Sequence, residues 1–462
     1  MGDPMRQTVI VGVVFFLVFA AFYVLQGLAA LLMGPGLASN SLATLYGVFT
    51  AACLYAPYVV NRYGAKRSLR FGILGYCALS IATLLFAALG DDSAVAKRVT
   101  KGAVIFGGAL NGLGAAVLWT AQGRFMLDVA ALDEKRDVSE HFAVFWALFN
   151  SSAVVGGVAT YFYFGQQKTS DATSNAILFA AFLILMTAGA FFTVFLEDTK
   201  VSQTVVEKKS TVSMEFLETI ALLLTRRAAL LGPLFWYTGF GQPYQLDSFG
   251  ADEFGEKNIG LELTLFYAMS VLAGKVADIF LKRTSSKRTA AFHLLFLFFF
   301  ASLLAFGCAA YAQKQKQSLL AASLAFAFWG FSTSLAQAYC YWLIDVLYDH
   351  GANERSRAVA LYKMLQSLGW CVGFALLPKT RCPTHIQLIL NGASCAIGAI
   401  LALFQMPPAF TSISAKKNNA ADNNTPLLFS SSRNNDLLFD DDYDDDSKSA
   451  SEDSSLSSIA AR

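Results

Sequence analysis

The sequence predicts an all-α polytopic membrane protein in which twelve transmembrane helices form two similar six-helix bundles. Three observations support this prediction: the composition, the lengths of the apolar segments, and a repeat between the two halves of the chain. Of the 462 residues, 55% are hydrophobic and only 15% are charged, whereas about a quarter of the residues in an average soluble domain are charged. This shortage of charge indicates that lipid surrounds much of the chain.

Twelve apolar segments are each long enough to cross a bilayer, whose hydrocarbon core of about 30 Å requires about 20 residues of α-helix. Helices are expected because lipid offers no hydrogen bonds to an open backbone. The predicted spans are 8–33, 41–60, 68–89, 101–127, 141–164, 175–196, 227–246, 258–281, 289–312, 318–345, 356–377 and 385–406. Glycine and proline interrupt the seventh span more than any other.

Lys and Arg concentrate in alternate loops, and this bias predicts the orientation. If the N-terminus is cytoplasmic, the cytoplasmic side holds 18 of the bases beside the spans and the opposite side holds nine. We therefore expect both termini in the cytoplasm, in either the plasma membrane or an endolysosomal membrane. The net charge of +2 gives no indication of a nucleic-acid partner.

The longest polar connection between spans divides the chain into two sets of six. It predicts an N-terminal bundle at 1–196, a cytoplasmic linker at 197–226 and a C-terminal bundle at 227–410. Residues 411–462 are rich in Asn, Ser and Asp, and such a segment cannot bury enough apolar surface to offset chain entropy. We predict a disordered acidic cytoplasmic tail.

A repeat supports this division. In span 5 an aromatic residue precedes an amide and a serine by four and five positions, and span 11 repeats the pattern at a constant offset along the chain. The paired residues are Trp146 with Tyr362, Asn150 with Gln366, and Ser151 with Ser367. Nearly the same offset relates Asn61 to Asp278 and Gln122 to Gln337. A duplicated six-helix unit explains these pairs, and chance similarity of apolar segments is the alternative.

The chain carries no motif for catalysis or for a bound metal. Its four histidines are scattered, it has no phosphate-binding loop, and six of its seven cysteines lie in apolar segments. We therefore predict no enzyme activity, no cofactor and no metal site.

Polar residues in the middle of the predicted spans are the best candidates for a binding cavity, because an unpaired polar group in lipid is costly. Asn150 and Gln366 are predicted to face each other where the two bundles meet, although hydrogen bonds between helices would also explain them. Lys363 lies about one turn from the centre of span 11, which favours a cavity over the lipid boundary. No acidic residue is predicted at the membrane centre, which disfavours a carboxylate relay for protons. An anionic or zwitterionic solute fits Lys363 better than a bare cation.

The loop after span 2 is similar to a signature of the major facilitator superfamily, which runs Asp-Arg-x-Gly-Arg-Lys. Here it reads Asn61-Arg62-Tyr63-Gly64-Ala65-Lys66-Arg67. In that superfamily the acid and the bases form a charge relay that holds one conformation shut. Asn61 replaces the acid, whereas Asp278 at the equivalent place in the second half keeps it. For Arg62, Lys66 and Arg67, a simple excess of cytoplasmic charge is the alternative.

Two further segments resemble the Unc-ninety-three-like branch of this superfamily. They are 112–123 in span 4 and 145–152 in span 5, and segments 339–343 and 361–367 resemble its fungal and protist members. The resemblance implies a major facilitator fold, in which spans 4, 7 and 10 line a central cavity. The remaining candidate cavity residues are Gln122, Trp119 and Gln337 of spans 4 and 10, together with Trp146 and Tyr362 of the repeated motif in spans 5 and 11. Aromatic packing is the alternative for the rings.

Two functions remain open at this point. One is a transporter of a small solute or ion that works by alternating access. The other is a regulator or trafficking escort that binds partner membrane proteins such as ion channels. The resembled branch includes regulators and escorts, and transport is assumed for many of its members mainly from the fold. A fold alone does not fix the function.

Overall fold

The computed structural model describes residues 3–89, 93–166, 172–198, 212–284, 286–315, 318–348, 352–376 and 382–407. These residues form fourteen α-helices. The helices are α1 (Pro4–Met33), α2 (Pro35–Ala52), α3 (Ala56–Tyr63), α4 (Ala65–Leu89), α5 (Ala94–Ala131), α6 (Val138–Gln166), α7 (Ala172–Phe192), α8 (Val212–Leu223), α9 (Arg226–Gln242), α10 (Gly250–Arg283), α11 (Lys287–Gln315), α12 (Leu319–Leu347), α13 (Ala352–Leu376) and α14 (Thr384–Leu403).

In the described part of the chain, ten helices are long and apolar enough to cross a membrane, and two bent pairs raise the number to twelve. Helices α2 and α3 form one such pair, with a bend of 63°. Pro57 lies in the first turn of α3, where it cannot donate the hydrogen bond that would continue α2. The prediction of an all-α protein with twelve membrane-spanning helices is confirmed.

The seventh span is longer than the sequence suggests. The helical backbone is not broken at the glycine- and proline-rich segment. A π-helical turn, Pro243–Phe249, connects the end of α9 directly to the start of α10. A π-helical turn widens the backbone and is frequent at functional sites. The predicted end of this span at residue 246 is therefore too early, and residues 247–254 belong to it.

The helices pack as two pseudo-symmetric six-helix bundles. In the first bundle the main contacts pair α4 with α5, α2 with α5, α1 with α6, α1 with α7, and α4 with α7. The equivalent pairs of the second bundle are α11 with α12, α10 with α12, α9 with α13, α9 with α14, and α11 with α14. Between the bundles, α6 contacts α10 and α2 contacts α13, which are again equivalent pairs. We call this boundary the seam.

Because successive spans run in opposite directions, the helix ends gather on two sides. We call the side at which α1 begins the proximal side and the other the distal side. On the proximal side, Gln7 of α1 hydrogen-bonds Glu197 after α7 at 3.3 Å, and Thr8 lies 2.6 Å from the ring nitrogen Nδ1 of His141 on α6. These contacts fix the proximal end of the first bundle.

Large apolar side chains cover much of the outer surface, as lipid requires. Phe292, Phe296 and Phe300 of α11, for example, form a stacked and largely exposed row. Helix α8 lies within the predicted linker, and the predicted acidic tail lies outside the described residues.

Candidate functional site

A cavity of about 160 Å³ lies at the seam. Its wall comes from α1, α2, α4, α5 and α6 of the first bundle and from α9, α10, α13 and the π-helical turn of the second. Aromatic side chains supply much of this wall, and we call it the aromatic cavity: Phe19, Phe22, Tyr23, Tyr46, Phe49, Tyr76, Trp119, Tyr267, Trp370 and Phe374. Since α1 and α13 contribute residues from their distal halves, the cavity lies toward the distal side.

Asp247 on the π-helical turn is the one residue with a charged side chain among the described residues of this wall. Its side chain is exposed to the cavity and receives no hydrogen bond from the described part of the protein. Sequence reasoning missed Asp247 because the segment around it resembles a loop. The sequence does offer one signal for Asp247. This acidic residue lies two positions before the apolar Phe249, so a helix that continued past residue 246 would include it.

A second and smaller cavity, of about 30 Å³, lies beside the first. Polar groups from both bundles line it, including Asn150, Gln337, Thr333, Ser334 and Lys363, and we call it the polar cavity. A cavity of this volume holds about two water molecules. The buried amide nitrogen of Asn150 finds no hydrogen-bond acceptor among the described residues, so a bound water or solute would satisfy it.

Lys363 is the buried cation of the polar cavity, and its side chain is only 1% exposed. The ammonium group donates a hydrogen bond of 2.7 Å to the side-chain oxygen of Gln366. It also lies 4.2 Å from the ring centre of Trp119, 4.9 Å from that of Tyr362 and 5.3 Å from that of Tyr341. Aromatic faces stabilise a desolvated cation, so these rings replace part of the water that Lys363 has lost.

Gln366 lies behind Lys363 and bonds within the second bundle. Its amide nitrogen donates to Thr238 Oγ1 at 3.1 Å and to the Tyr362 hydroxyl at 3.2 Å. The sequence predicts that Gln366 faces Asn150 across the seam, but in the structure Lys363 lines the cavity opposite Asn150. The role of Gln366 in this geometry is to hold the ammonium group of Lys363.

The two cavities share a wall. Trp119, Gln242, Trp370 and Tyr23 line both of them. The indole N–H of Trp370 donates to the side-chain oxygen of Gln242 at 2.9 Å, which fixes both side chains. Trp119 therefore lies between the ammonium group of Lys363 and the aromatic cavity.

On the proximal side, two equivalent hydrogen bonds close the seam. Ser356 at the start of α13 donates to Asn61 Oδ1 at 2.9 Å, and Ser139 at the start of α6 donates to Asp278 Oδ1 at 3.3 Å. The offset from Ser139 to Ser356 equals the offset from Asn61 to Asp278, so the repeat relates one bond to the other.

Charged groups surround these two bonds. Arg124 Nη1 also donates to Asn61 Oδ1. Lys282 bridges Asp278 at 2.9 Å and Glu140 across the seam at 3.1 Å. Arg62 and Arg67 are exposed, Lys66 is partly exposed, and none of the three forms an ion pair within the described residues.

Asp133, in the loop between α5 and α6, anchors the proximal end of the first bundle. Its carboxylate accepts hydrogen bonds from the backbone N–H of Lys135 at 2.9 Å and from the guanidinium of Arg136, and lies 3.1 Å from His141 Nε2. Partial burial raises the pKa of Asp133, but these hydrogen bonds more than offset burial and lower it overall.

Most of the chain matches one known family. Residues 38–403 match the family model described as "Ion channel regulatory protein UNC-93". The chain belongs to the UNC-93 family. Curated relatives agree: UNC93-like protein C922.05c of Schizosaccharomyces pombe is 26% identical over 81% of this chain and 77% of the relative. UNC93-like protein 1 of Arabidopsis thaliana is also 26% identical, over 84% of this chain and 87% of the relative.

The fold of this UNC-93 family member is similar to that of solved membrane transporters, one of which is described as a major facilitator superfamily protein. The proton:xylose symporter XylE, bound to a bromodeoxyglucose, superimposes with a TM-score of 0.67 at 11% identity, covering 87% of this chain and 94% of XylE. The human organic anion transporter MFSD10 gives a TM-score of 0.62 at 12% identity, covering 87% of this chain and all of MFSD10. The predicted family and fold are both confirmed.

The structure brings together most of the predicted cavity residues of this UNC-93 family member. Asn150, Lys363, Gln337, Trp146 and Trp119 line the polar cavity. Tyr362, Gln366 and Gln122 are buried behind its wall, where the Tyr341 hydroxyl donates to Gln122 Oε1 at 3.3 Å. Thr238 was not among the predicted residues, because only the folded chain brings it to Gln366.

Proposed function

We propose that this UNC-93 family member is a non-enzymatic transporter that moves a small solute across the membrane by alternating access. The observation that supports this most is the aromatic cavity at the seam, whose wall is shared by both bundles. A site between two similar bundles becomes accessible from the other side when one bundle rocks against the other.

The proximal seam has the properties of a gate in this proposal. Two hydrogen bonds and the Lys282–Glu140 ion pair join the bundles there, and Lys282 is 41% exposed. Water can replace partly exposed polar contacts at a cost of about 1 kcal/mol each. Asn61 and Asp278 are the gating residues of this proposal, and Arg62, Lys66 and Arg67 add positive charge around them.

Asn150, Lys363 and Gln337 are the proposed polar contacts of the solute, with Trp119 and Trp146 as the aromatic ones. Gln366, Gln122 and Tyr362 would position them from behind. The sequence favours an anion or a zwitterion because of Lys363. Asp247 adds a carboxylate to the adjoining wall, so we favour a solute that carries an ammonium group, alone or in a zwitterion, over a bare anion.

The proximal side is the cytoplasmic side in this proposal, because the bias in Lys and Arg puts both termini there. The two moving bodies would be the bundles at 1–196 and 227–410, joined by the linker at 197–226.

A flux assay in proteoliposomes tests the proposal. The panel contains small amines, zwitterionic amino acids, carboxylates, a sugar and K⁺, each compared with empty liposomes. We expect flux of at least one member, and we expect Lys363→Ala to abolish it. A disulfide between cysteines at Asn61 and Ser356 should also stop the flux reversibly, because it locks the seam.

A cross-link within the first bundle provides the control. Cysteines at Thr8 and His141 occupy a contact of similar proximal depth, and their disulfide should leave the flux unchanged. Absence of flux for every member of the panel, in protein that folds and reconstitutes normally, would contradict transport.

A second function is favoured by the family description, which names ion channel regulation. In that case the chain would bind partner membrane proteins, and the cavity would have no solute to move. A channel whose current changes on co-expression, with no flux from the purified protein, would support this alternative. The same current change after locking the seam with the disulfide would show that alternating access is not required.

A further inference from the structure

We propose that the aromatic cavity binds a small organic cation through Asp247 and the faces of the surrounding rings. This inference rests on the proposed function only in that a bound solute would be the one transported, and binding itself can be measured without transport.

The charge of the ligand follows from Asp247. A carboxylate within a membrane-spanning segment is costly unless a proton or a positive group neutralises it. No described residue supplies that group: Asp247 receives no hydrogen bond, and it forms no ion pair with a described Lys or Arg. The ammonium group of Lys363 is enclosed by other partners, namely Gln366, Trp119, Tyr341 and Tyr362.

The chemical class follows from the rest of the wall. Aromatic faces attract cations, and together with one carboxylate they form the type of cage that holds an ammonium group. Tyr46 and Tyr267 line the cavity with Asp247, and Trp370 and Phe374 extend the aromatic surface. A metal ion such as Ca²⁺ requires six or more oxygen ligands, whereas the described residues contain no cluster of three His, Cys, Asp or Glu side chains.

The size of the ligand follows from the volume of the aromatic cavity. The cavity of about 160 Å³ is close to an engineered cavity of about 150 Å³ that holds benzene. The ligand is therefore a compact amine of roughly that size. Besides Asp247, the wall carries the side-chain amides of Gln26 and Gln242, which could hydrogen-bond one polar substituent of the ligand, while the other side chains are apolar or aromatic.

Binding to purified protein in lipid nanodiscs tests this site. Benzylamine is the probe, benzyl alcohol is its neutral counterpart and benzoate its anionic one. Tryptophan fluorescence reports binding, because Trp119 and Trp370 line the cavity. We expect benzylamine to bind at least about tenfold more tightly than either counterpart, the difference that one charge-assisted contact of about 1.4 kcal/mol provides.

Asp247→Asn should weaken benzylamine binding by about tenfold or more and leave benzyl alcohol unaffected. Asp247→Glu, which keeps the charge, should restore part of the affinity. Asp252→Asn is the matched control, because Asp252 follows on the same continuous helix but accepts from Thr384 outside the cavity. Its benzylamine affinity should equal that of the wild type.

Three results would overturn the site: no benzylamine binding, equal binding of benzyl alcohol, or unchanged binding in Asp247→Asn. Phenylglycine is a zwitterion, and comparing it with benzylamine tests whether the preferred ligand is a cation or a zwitterion. If phenylglycine binds more tightly than benzylamine, and only while Lys363 is intact, the ammonium site stands and the ligand is a zwitterion. Benzylamine binding without flux would contradict transport but support the cation site. Flux of other solutes without benzylamine binding would support transport but contradict the cation site.

Discussion

The ammonium group of Lys363 in the second bundle lies 4.2 Å from the ring centre of Trp119 in the first bundle. This cation–π contact crosses the seam and separates the two cavities. Since the ring belongs to the other bundle, rocking of the bundles would move Trp119 away from Lys363 and expose the ammonium group. The contact therefore couples the protection of a buried charge to the conformation of the seam.

Replacement of Lys363 by methionine should leave the thermal stability unchanged or raise it. The side chain is buried, its described partners are neutral, and apolar replacement of a buried charge is often neutral or stabilising. Thermal unfolding in detergent measures the effect. Gln366→Leu is the comparison: it leaves the ammonium group without its hydrogen-bond acceptor and should destabilise by about 1–3 kcal/mol.

Lys363→Met should still lose the proposed transport. A variant that is stable and fully active would mean that Lys363 has no functional role. A strongly destabilised Lys363→Met would mean instead that the cation is part of the structural core.

Asn61→Asp should favour the conformation that is closed on the proximal side. Ser356 of the second bundle donates to the side-chain oxygen of Asn61 across the seam, so a carboxylate at this position would strengthen that contact by about 1 kcal/mol. This energy corresponds to a shift of about fivefold in the population of the closed state. Spin labels at Tyr63 and Arg283, which are exposed and lie in different bundles, would report the distance across the seam.

In Asn61→Asp, the short distance between the labels should gain population. Arg62→Ala is the control, because Arg62 is exposed and forms no ion pair among the described residues. An equal shift in both variants, or a shift toward the long distance in Asn61→Asp, would contradict the proposed role of Asn61.

The sequence predicted the fold and part of the site for identifiable physical reasons. A charged residue inside an apolar span is conspicuous, and this made Lys363 predictable. The positions of Asn61 and Asp278 followed from the repeat. The same offset along the chain also relates Ser139 to Ser356, and this signal could have revealed their hydrogen-bond partners.

The roles of Asp247 and Thr238 could not be predicted from the repeat or from a charge inside an apolar span. The π-helical turn lets the chain continue past Pro243, whereas glycine and proline at this spacing usually predict the end of a helix. The contact between Thr238 and Gln366 joins residues that are far apart in the sequence, and it depends on how α9 packs against α13. Local pattern carries no information on such a contact.

The loop between α5 and α6 should make stability sensitive to acid. The folded state lowers the pKa of Asp133, so its stabilisation is complete above the unfolded value of about 3.9. The contribution is lost as pH falls through the lower pKa of the folded state. At pH 7, Asp133→Asn should therefore lower the unfolding temperature, and the difference from the wild type should shrink as the pH approaches about 3.

Glu134→Gln is the neighbouring control, because Glu134 is exposed and its variant should match the wild type throughout this range. A difference for Asp133→Asn that stays constant down to about pH 3 would show that the carboxylate charge is not responsible.

Close packing of α5 against α2 should make two glycines of the same helix respond in opposite ways to alanine. A Cβ atom at Gly112 would collide with the backbone oxygen of Leu45, whereas one at Gly102 would meet no atom within 4 Å. Gly112→Ala should destabilise the protein by about 1–3 kcal/mol, because the backbone of α2 must move. Gly102→Ala should be neutral or stabilise by up to about 1 kcal/mol, since alanine favours the helix. Thermal unfolding of the two variants tests this packing directly, and equal effects would mean that α2 and α5 do not approach so closely. Because α2 also contacts α13 across the seam, Gly112→Ala should additionally change the distance between the proximal spin labels, whereas Gly102→Ala should not.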